Sequence, residues 1–160
     1  MQKFLRNVNG LSGFLNVIAG ISLIFLMSLT MADVVLRLFK RPIVGTYELV
    51  AYLGAVVIGF SIPFTSWVRG HIYVDVLILK LSSTSQKIFH VFTRCLGMGL
   101  FLMLGWNLIK MGMDLHGSGE VSPTLHMPFY PIVYAIGFCC FAQFLVLLSD
   151  VLKIFEGQYE

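Results

Sequence analysis

The sequence predicts an all-α integral membrane protein with four transmembrane helices and a short interfacial helix after the second. Hydrophobic residue types make up 58% of the 160 residues and charged types 12%, whereas soluble domains carry about 25% charged residues. The sparse charges leave long uncharged runs, most of which reach the ~20 residues that an α-helix needs to cross a ~30 Å hydrocarbon core. Because lipid offers no partners for backbone N–H and C=O groups, each crossing is expected to be helical.

The first helix is predicted over about residues 11–38. Its uncharged run between Arg6 and Asp33 is too long for a secretory signal, and no small-residue cleavage site precedes Asp33, so we expect the helix to be retained. Asp33 and Arg37 are four residues apart and can pair along one helix face. This pairing is favoured because an unpaired charge deep in a membrane helix costs about 2.5–3.5 kcal/mol.

The second helix is predicted over about residues 46–68. Pro42 and Gly45 indicate a tight turn before it, and Glu48 falls in its first turn, where the helix dipole favours a carboxylate. Trp67 is expected to anchor the other end at the headgroup level. Small residues at every fourth position would let another helix approach closely, and we expect packing there. This row consists of Ala51, Ala55 and Gly59.

A short amphipathic helix is predicted over about residues 72–81, in the headgroup region. His71 and Asp75 tend toward one side of it, whereas apolar residues occupy much of the rest, which is typical of a helix lying at the membrane surface.

The third helix is predicted over about residues 84–115, after Ser83 and Gln86 in the spacing of a capping box. Its uncharged run is short, so it crosses the membrane only if the long side chains at its ends reach the headgroups. Lys87 and Arg94 are therefore expected to be lipid-headgroup anchors.

The fourth helix is predicted over about residues 128–155, with Pro128 in its first turn, where proline is tolerated. The preceding loop at residues 117–127 is the most polar stretch of the chain and includes Ser122 and Pro123. More Lys and Arg residues lie beside the termini and the second loop than beside the other two loops. The positive-inside rule therefore predicts that both termini are cytoplasmic and that this loop is periplasmic.

The residue pattern indicates neither an enzyme nor a cofactor protein. The histidines do not form a facing pair inside the bundle that could hold a haem, and the three cysteines have no metal-ligand spacing. A nucleophile elbow, a phosphate loop and a metal-ligand motif are all missing. The basic residues are scattered, which argues against a nucleic-acid partner. We expect no catalytic residue, no metal and no cofactor.

Short motifs recur in order along nearly the whole chain. An arginine ends the first helix (Arg37), a proline turn follows, and a glutamate opens the second helix (Glu48). After that helix come Arg69, His71 and a Val-Asp pair that ends at Asp75. The motifs Ser122-Pro-Thr-Leu-His-Met-Pro128 and Tyr134-Ala-Ile-Gly137 follow. Together these motifs resemble the small membrane subunit (DctQ-type) of tripartite ATP-independent periplasmic (TRAP) transporters. Many relatives have two consecutive acids before the second helix, whereas this chain has Tyr47-Glu48.

The resemblance implies a non-catalytic subunit of the bacterial inner membrane. It would brace a large membrane subunit (DctM-type) during sodium-driven uptake of an organic acid, which a periplasmic binding protein (DctP-type) delivers, with weak or indirect contact to the latter. Lipids would be further partners. By this resemblance, partner or interface contacts would involve the small-residue row and several charged residues. These residues are Arg37, Glu48, Arg69, His71 and Asp75, and Arg69 would also be a lipid-headgroup anchor.

Two other functions stay open at the level of sequence. A stand-alone proton-coupled exporter needs an acidic residue in mid-helix, and Asp33, the nearest candidate, falls at a helix end. A membrane anchor of a respiratory complex is disfavoured by the placement of the histidines.

Overall fold

The structure is a computed structural model that describes residues 2–68, 70 and 83–155. This part of the chain contains four α-helices: α1 Gln2–Leu38, α2 Thr46–Trp67, α3 Ser83–Ser118 and α4 Tyr130–Phe155. Each is long and apolar enough to cross a membrane, so the predicted fold class of four transmembrane helices is confirmed. The described residues contain no strand. The predicted interfacial helix at 72–81 lies outside them.

The helix ends differ from the predicted ones where polar residues continue a helix or interrupt it. α1 begins at Gln2 rather than near residue 11, because an apolar run marks the part of a helix inside lipid and not the start of its hydrogen bonding. α3 continues to Ser118 and is followed by Gly119 at φ +67°, the left-handed conformation that commonly ends helices. α4 begins at Tyr130 rather than at Pro128, because Pro128 is held in a β-bridge with Val121.

The helices are not packed equally. α1 packs on α2, α2 packs on α4, and α4 packs on α3, with a smaller contact between α1 and α4. The most apolar stretch of α4 is 50% buried within the chain, against 6% for that of α3. α4 is therefore the central helix, and α1 and α3 are flanking helices with broad exposed apolar faces.

The interior of the bundle is formed mainly by α4. Cys139 and Ala142 of α4 pack with Leu15 of α1, and Leu11 and Phe60 cover this cluster. Gly59 of α2 meets α4 so closely that a methyl group built on it would lie 3.3 Å from Ile136 Cγ1. Small residues thus set the separation of α2 and α4, as expected for helix packing in lipid.

Candidate functional site

Asp33 ties the end of α1 to the turn that leads into α2. Its carboxylate accepts hydrogen bonds from Arg37 Nε at 2.7 Å and from the backbone N–H of Ile43 at 2.9 Å. Thr46 Oγ1 in turn donates to the carbonyl of Ile43 at 2.9 Å. The Arg37 guanidinium also lies over the ring of Tyr47, 5.6 Å from its centroid. Asp33 is buried. It forms the pair with Arg37 that its spacing predicted, and its bond from Ile43 also fixes the course of the turn.

Glu48, in the first turn of α2, binds the loop between α3 and α4. Its carboxylate accepts three hydrogen bonds, from Ser122 Oγ at 2.7 Å, Thr124 N at 2.7 Å and Leu125 N at 2.9 Å. All three partners are donors, which is the arrangement that suits an ionised, acceptor-only carboxylate. Glu48 therefore joins the start of α2 to the loop between α3 and α4, which is far away in sequence.

The loop that Glu48 binds is closed by its own hydrogen bonds. Ser122 N donates to the Met127 carbonyl at 2.9 Å, and Met127 N donates to Ser122 Oγ at 3.1 Å. The hydroxyl of Tyr52 on α2 lies 3.0 Å from the Met127 carbonyl oxygen, and its ring stacks on Phe129 at 5.7 Å. Ser122 is fully buried. We call residues 122–127 together with Glu48 and Tyr52 the loop clamp.

The turn before α2 contacts the loop before α4, and this contact requires a glycine at position 45. Its φ is +78°, a conformation that residues with a side chain rarely adopt. A methyl group on it would also lie 2.5 Å from Leu125 Cγ. The turn before α2 and the loop before α4 thus approach each other at a glycine, one turn from the Glu48 carboxylate.

The structure places Arg37 and Glu48, two of the residues expected at partner contacts, in separate interactions. Arg37 and Glu48 do not pair, since Arg37 binds Asp33 and Glu48 binds the loop. In the small-residue row, Gly59 is buried against α4, Ala55 is half-buried, and Ala51 is exposed. The row therefore serves packing within this chain at one end and presents an open surface at the other.

A polar cluster at the opposite end of the bundle was missed by the sequence reasoning. Arg94 Nε of α3 lies 3.4 Å from Asp150 Oδ2 of α4, and Gln143 Nε2 donates to Ser66 Oγ of α2 at 2.7 Å. The Arg94 side chain is 12% exposed and that of Asp150 1%. A largely buried carboxylate on the neighbouring helix thus holds the Arg94 side chain, and its role as a lipid-headgroup anchor stays a prediction. The sequence signal was available: both charges bound uncharged runs at the same end of the bundle.

Other predicted residues at this end are in part outside the described chain. Trp67 is half-buried, and Lys153 Nζ lies 3.9 Å from its ring centroid, so a cation–π contact joins the last turns of α2 and α4. Arg69, His71 and Asp75 lie outside the described residues, and so does the Lys87 side chain.

The three cysteines lie on α3 and α4. Cys139 and Cys140 are buried in the helix core and Cys95 is exposed. Within residues 2–68, 70 and 83–155, no group of three or more His, Cys, Asp or Glu side chains could hold a metal ion.

A comparison with protein families gives a match over most of the chain. Residues 26–157 match the family model described as "Tripartite ATP-independent periplasmic transporters, DctQ component". No curated protein and no solved structure matches. The matched range holds the last part of α1, all of α2, α3 and α4, the loop clamp, and the polar cluster of Arg94, Asp150, Gln143 and Ser66.

Proposed function

Since the chain belongs to the DctQ family of TRAP transporter components, we propose that it is the non-catalytic small subunit that braces a DctM-type large membrane subunit during uptake. Membership makes it a component of a transporter and not an enzyme, and its four apolar helices make it a multi-pass inner-membrane protein. The family implies association with DctM and DctP components. We further propose sodium as the driving ion and an organic acid as the substrate, delivered by the periplasmic binding protein.

The placement of ionisable groups is the observation that supports a bracing role. Asp33, Arg37 and Glu48 are engaged at one end of the bundle, and Arg94 and Asp150 contact each other at the other. The sequence of α2 after Glu48 and that of α4 before Asp150 hold no acidic, basic or histidine residue. A proton or ion relay needs such groups across the membrane, so these two helices offer rigidity instead of a path.

We propose that the loop clamp faces the periplasm and that both termini are cytoplasmic, following the distribution of basic residues. Pro123 and Thr124 are exposed beside the clamped carboxylate, and a weak contact with the binding protein would fall there. Because Glu48 is already bonded to the loop, its role is to hold this surface in shape. For Arg69, His71 and Asp75 we retain the proposal of contacts near the headgroups or the partner subunit.

The outward face of α2 is the surface that we assign to the large subunit. Tyr47 and Ile58 are 78% and 66% exposed, and the small residue Ala51 lies between them on the same face. Arg37, held by Asp33, covers the Tyr47 ring at the end of this stripe. A small residue between larger exposed ones gives a partner helix room for close approach.

A steric substitution on this face tests the proposal. Ala51→Trp is expected to abolish co-purification of the cognate DctM-type subunit, while Ala32→Trp, the same change on the exposed face of α1, should leave it intact. Helical circular dichroism of both variants checks that the bundle has folded. Equal recovery of the large subunit with Ala51→Trp and with the unsubstituted chain would contradict the assignment.

A further inference from the structure

A polar cleft lies between α2, α3 and α4, at the end of the bundle opposite the loop clamp. Its volume is about 340 Å³. Its polar lining consists mainly of Ser66 on α2, Arg94 on α3, and Gln143 and Asp150 on α4. The proposed bracing function uses none of these groups as a binding site.

Gln143 presents a buried acceptor atom that no donor of the cleft reaches. The residue is 3% exposed, and its amide nitrogen donates to Ser66 Oγ. Its carbonyl oxygen Oε1 is buried and has no hydrogen-bond partner, although buried polar atoms are nearly always paired. The cleft is also far larger than the ~30 Å³ that one water molecule occupies in the liquid. A ligand that donates an N–H or O–H to Gln143 would satisfy this atom.

The charges of the cleft restrict that ligand further. Arg94 Nε and Asp150 Oδ2 are 3.4 Å apart, longer than the 2.7–2.9 Å typical of a charge-assisted hydrogen bond. The two side chains together carry one positive and one negative charge. A net anion would meet Asp150 and a net cation would meet Arg94, whereas a zwitterion would find a charge of opposite sign for each of its own.

The position of the cleft favours a lipid as the source of such a ligand. Ser66 directly precedes Trp67, whose ring is covered by Lys153, and an aromatic ring beside a lysine at a helix end is typical of the headgroup level. The Gln143 amide is bonded to Ser66. The cleft therefore lies where a phospholipid headgroup can enter from the bilayer.

We propose that this cleft binds the headgroup of a zwitterionic aminophospholipid such as phosphatidylethanolamine. The primary ammonium donates a hydrogen bond to Gln143 Oε1 beside Asp150, and the phosphate accepts from Arg94. Ser66 holds the Gln143 amide in the orientation that presents its oxygen to the ammonium.

Native mass spectrometry of the full-length protein released from nanodiscs tests this assignment. The nanodiscs contain equal amounts of phosphatidylethanolamine, phosphatidylcholine and phosphatidylglycerol. Phosphatidylcholine is the matched lipid, because it has the same charges but no N–H donor. We expect phosphatidylethanolamine to be retained about tenfold more than either, the ratio that one hydrogen bond supplies. Equal retention of the three lipids would overturn the proposal, and this readout needs no variant.

A substitution then locates the binding. Gln143→Leu should lower retention of phosphatidylethanolamine to that of phosphatidylcholine, whereas Asn107→Leu, which removes an exposed amide on α3, should leave the preference unchanged. Retention by Gln143→Leu equal to that of the unsubstituted chain would refute the site.

Two further experiments ask whether the headgroup alone suffices for binding and whether the large subunit occupies the cleft instead. Free O-phosphoethanolamine that displaces the lipid would show that the amino-phosphate group suffices, and persistence of the lipid would show that its acyl chains contribute; both results keep the assigned chemistry. If the preference disappears when the large subunit is bound, a side chain of that subunit fills the cleft, and the lipid assignment is overturned.

Discussion

Replacing Glu48 by Gln is expected to loosen the loop clamp while leaving the four helices intact. The carboxylate accepts hydrogen bonds from Ser122 Oγ, Thr124 N and Leu125 N at 2.7–2.9 Å. A Gln amide has one acceptor oxygen. Placed at the Oε2 position, that oxygen keeps the bonds from Ser122 and Leu125, but the amide nitrogen then faces the N–H of Thr124.

The size of the effect follows from these contacts. A hydrogen bond to a charged group contributes about 1.5–3 kcal/mol and one to a neutral group about 0.5–1.5 kcal/mol. Thr124 is exposed, so water replaces part of what its N–H loses, and the two retained bonds are weakened. We expect a cost of about 2 kcal/mol in loop opening, or about a 30-fold increase in the opening equilibrium.

Hydrogen exchange of the peptide that contains Thr124 and Leu125 measures this opening directly. The amides of this peptide should exchange about 30-fold faster in Glu48→Gln, while peptides within α3 and α4 keep their rates. Glu120→Gln is the matched control, because Glu120 is an exposed acid on the same loop. If Glu48→Gln and Glu120→Gln give the same exchange rates, the reasoning from the carboxylate contacts is refuted.

Three more substitutions test other contacts by unfolding in mixed detergent micelles, followed by tryptophan fluorescence. Gly45→Ala should lower the free energy of unfolding by about 2–4 kcal/mol, because strain at positive φ and the clash with the clamped loop add. Gly119→Ala, at a glycine with positive φ but open space, should lower it by about 1–2 kcal/mol. Equal losses for the two variants would show that the clash makes no contribution. Asp33→Asn should lower the free energy of unfolding by about 1.5–3 kcal/mol, because the hydrogen bond from Arg37 Nε is lost. A loss below about 0.5 kcal/mol would show that the turn does not depend on this bond. Gly112→Ala places a methyl group 2.6 Å from a Tyr134 ring carbon and should destabilise by about 1–3 kcal/mol. Gly99→Ala, with open space, should instead stabilise slightly, and the same sign for both would contradict the packing of α3 on α4.

The membrane-spanning fold followed from composition and from the spacing of charges. This is because an uncharged run of sufficient length has few alternatives to a transmembrane helix. The ends of the helices were predicted less accurately from the sequence. The polar residues before the apolar run of α1 indicated where the helix enters the membrane, not where it begins. Pro128 forms a β-bridge with Val121 and does not belong to the first turn of α4.

The functional sites were predictable only where the interaction is local in sequence. The Asp33–Arg37 pair lies within one helix, so its spacing predicted it. Glu48 was expected in the first turn of α2, but its partners in the loop after α3 depend on how two distant connections meet. The Arg94–Asp150 contact likewise depends on α3 packing against α4. Spacing along the sequence places both charges at the same end of the bundle, but it does not show which helices pack together.

Uptake into proteoliposomes with components omitted one at a time tests the central claim most directly. The vesicles carry this chain, its cognate DctM-type subunit or both, with the binding protein and a labelled organic acid outside and an inward sodium gradient. Uptake is expected from the two membrane subunits together and from neither one alone, because the proposed role of this chain is to brace the large subunit. Its helices α2 after Glu48 and α4 before Asp150 hold no acidic, basic or histidine residue that could carry an ion. Uptake by this chain alone, or full uptake by the large subunit without it, would contradict the account.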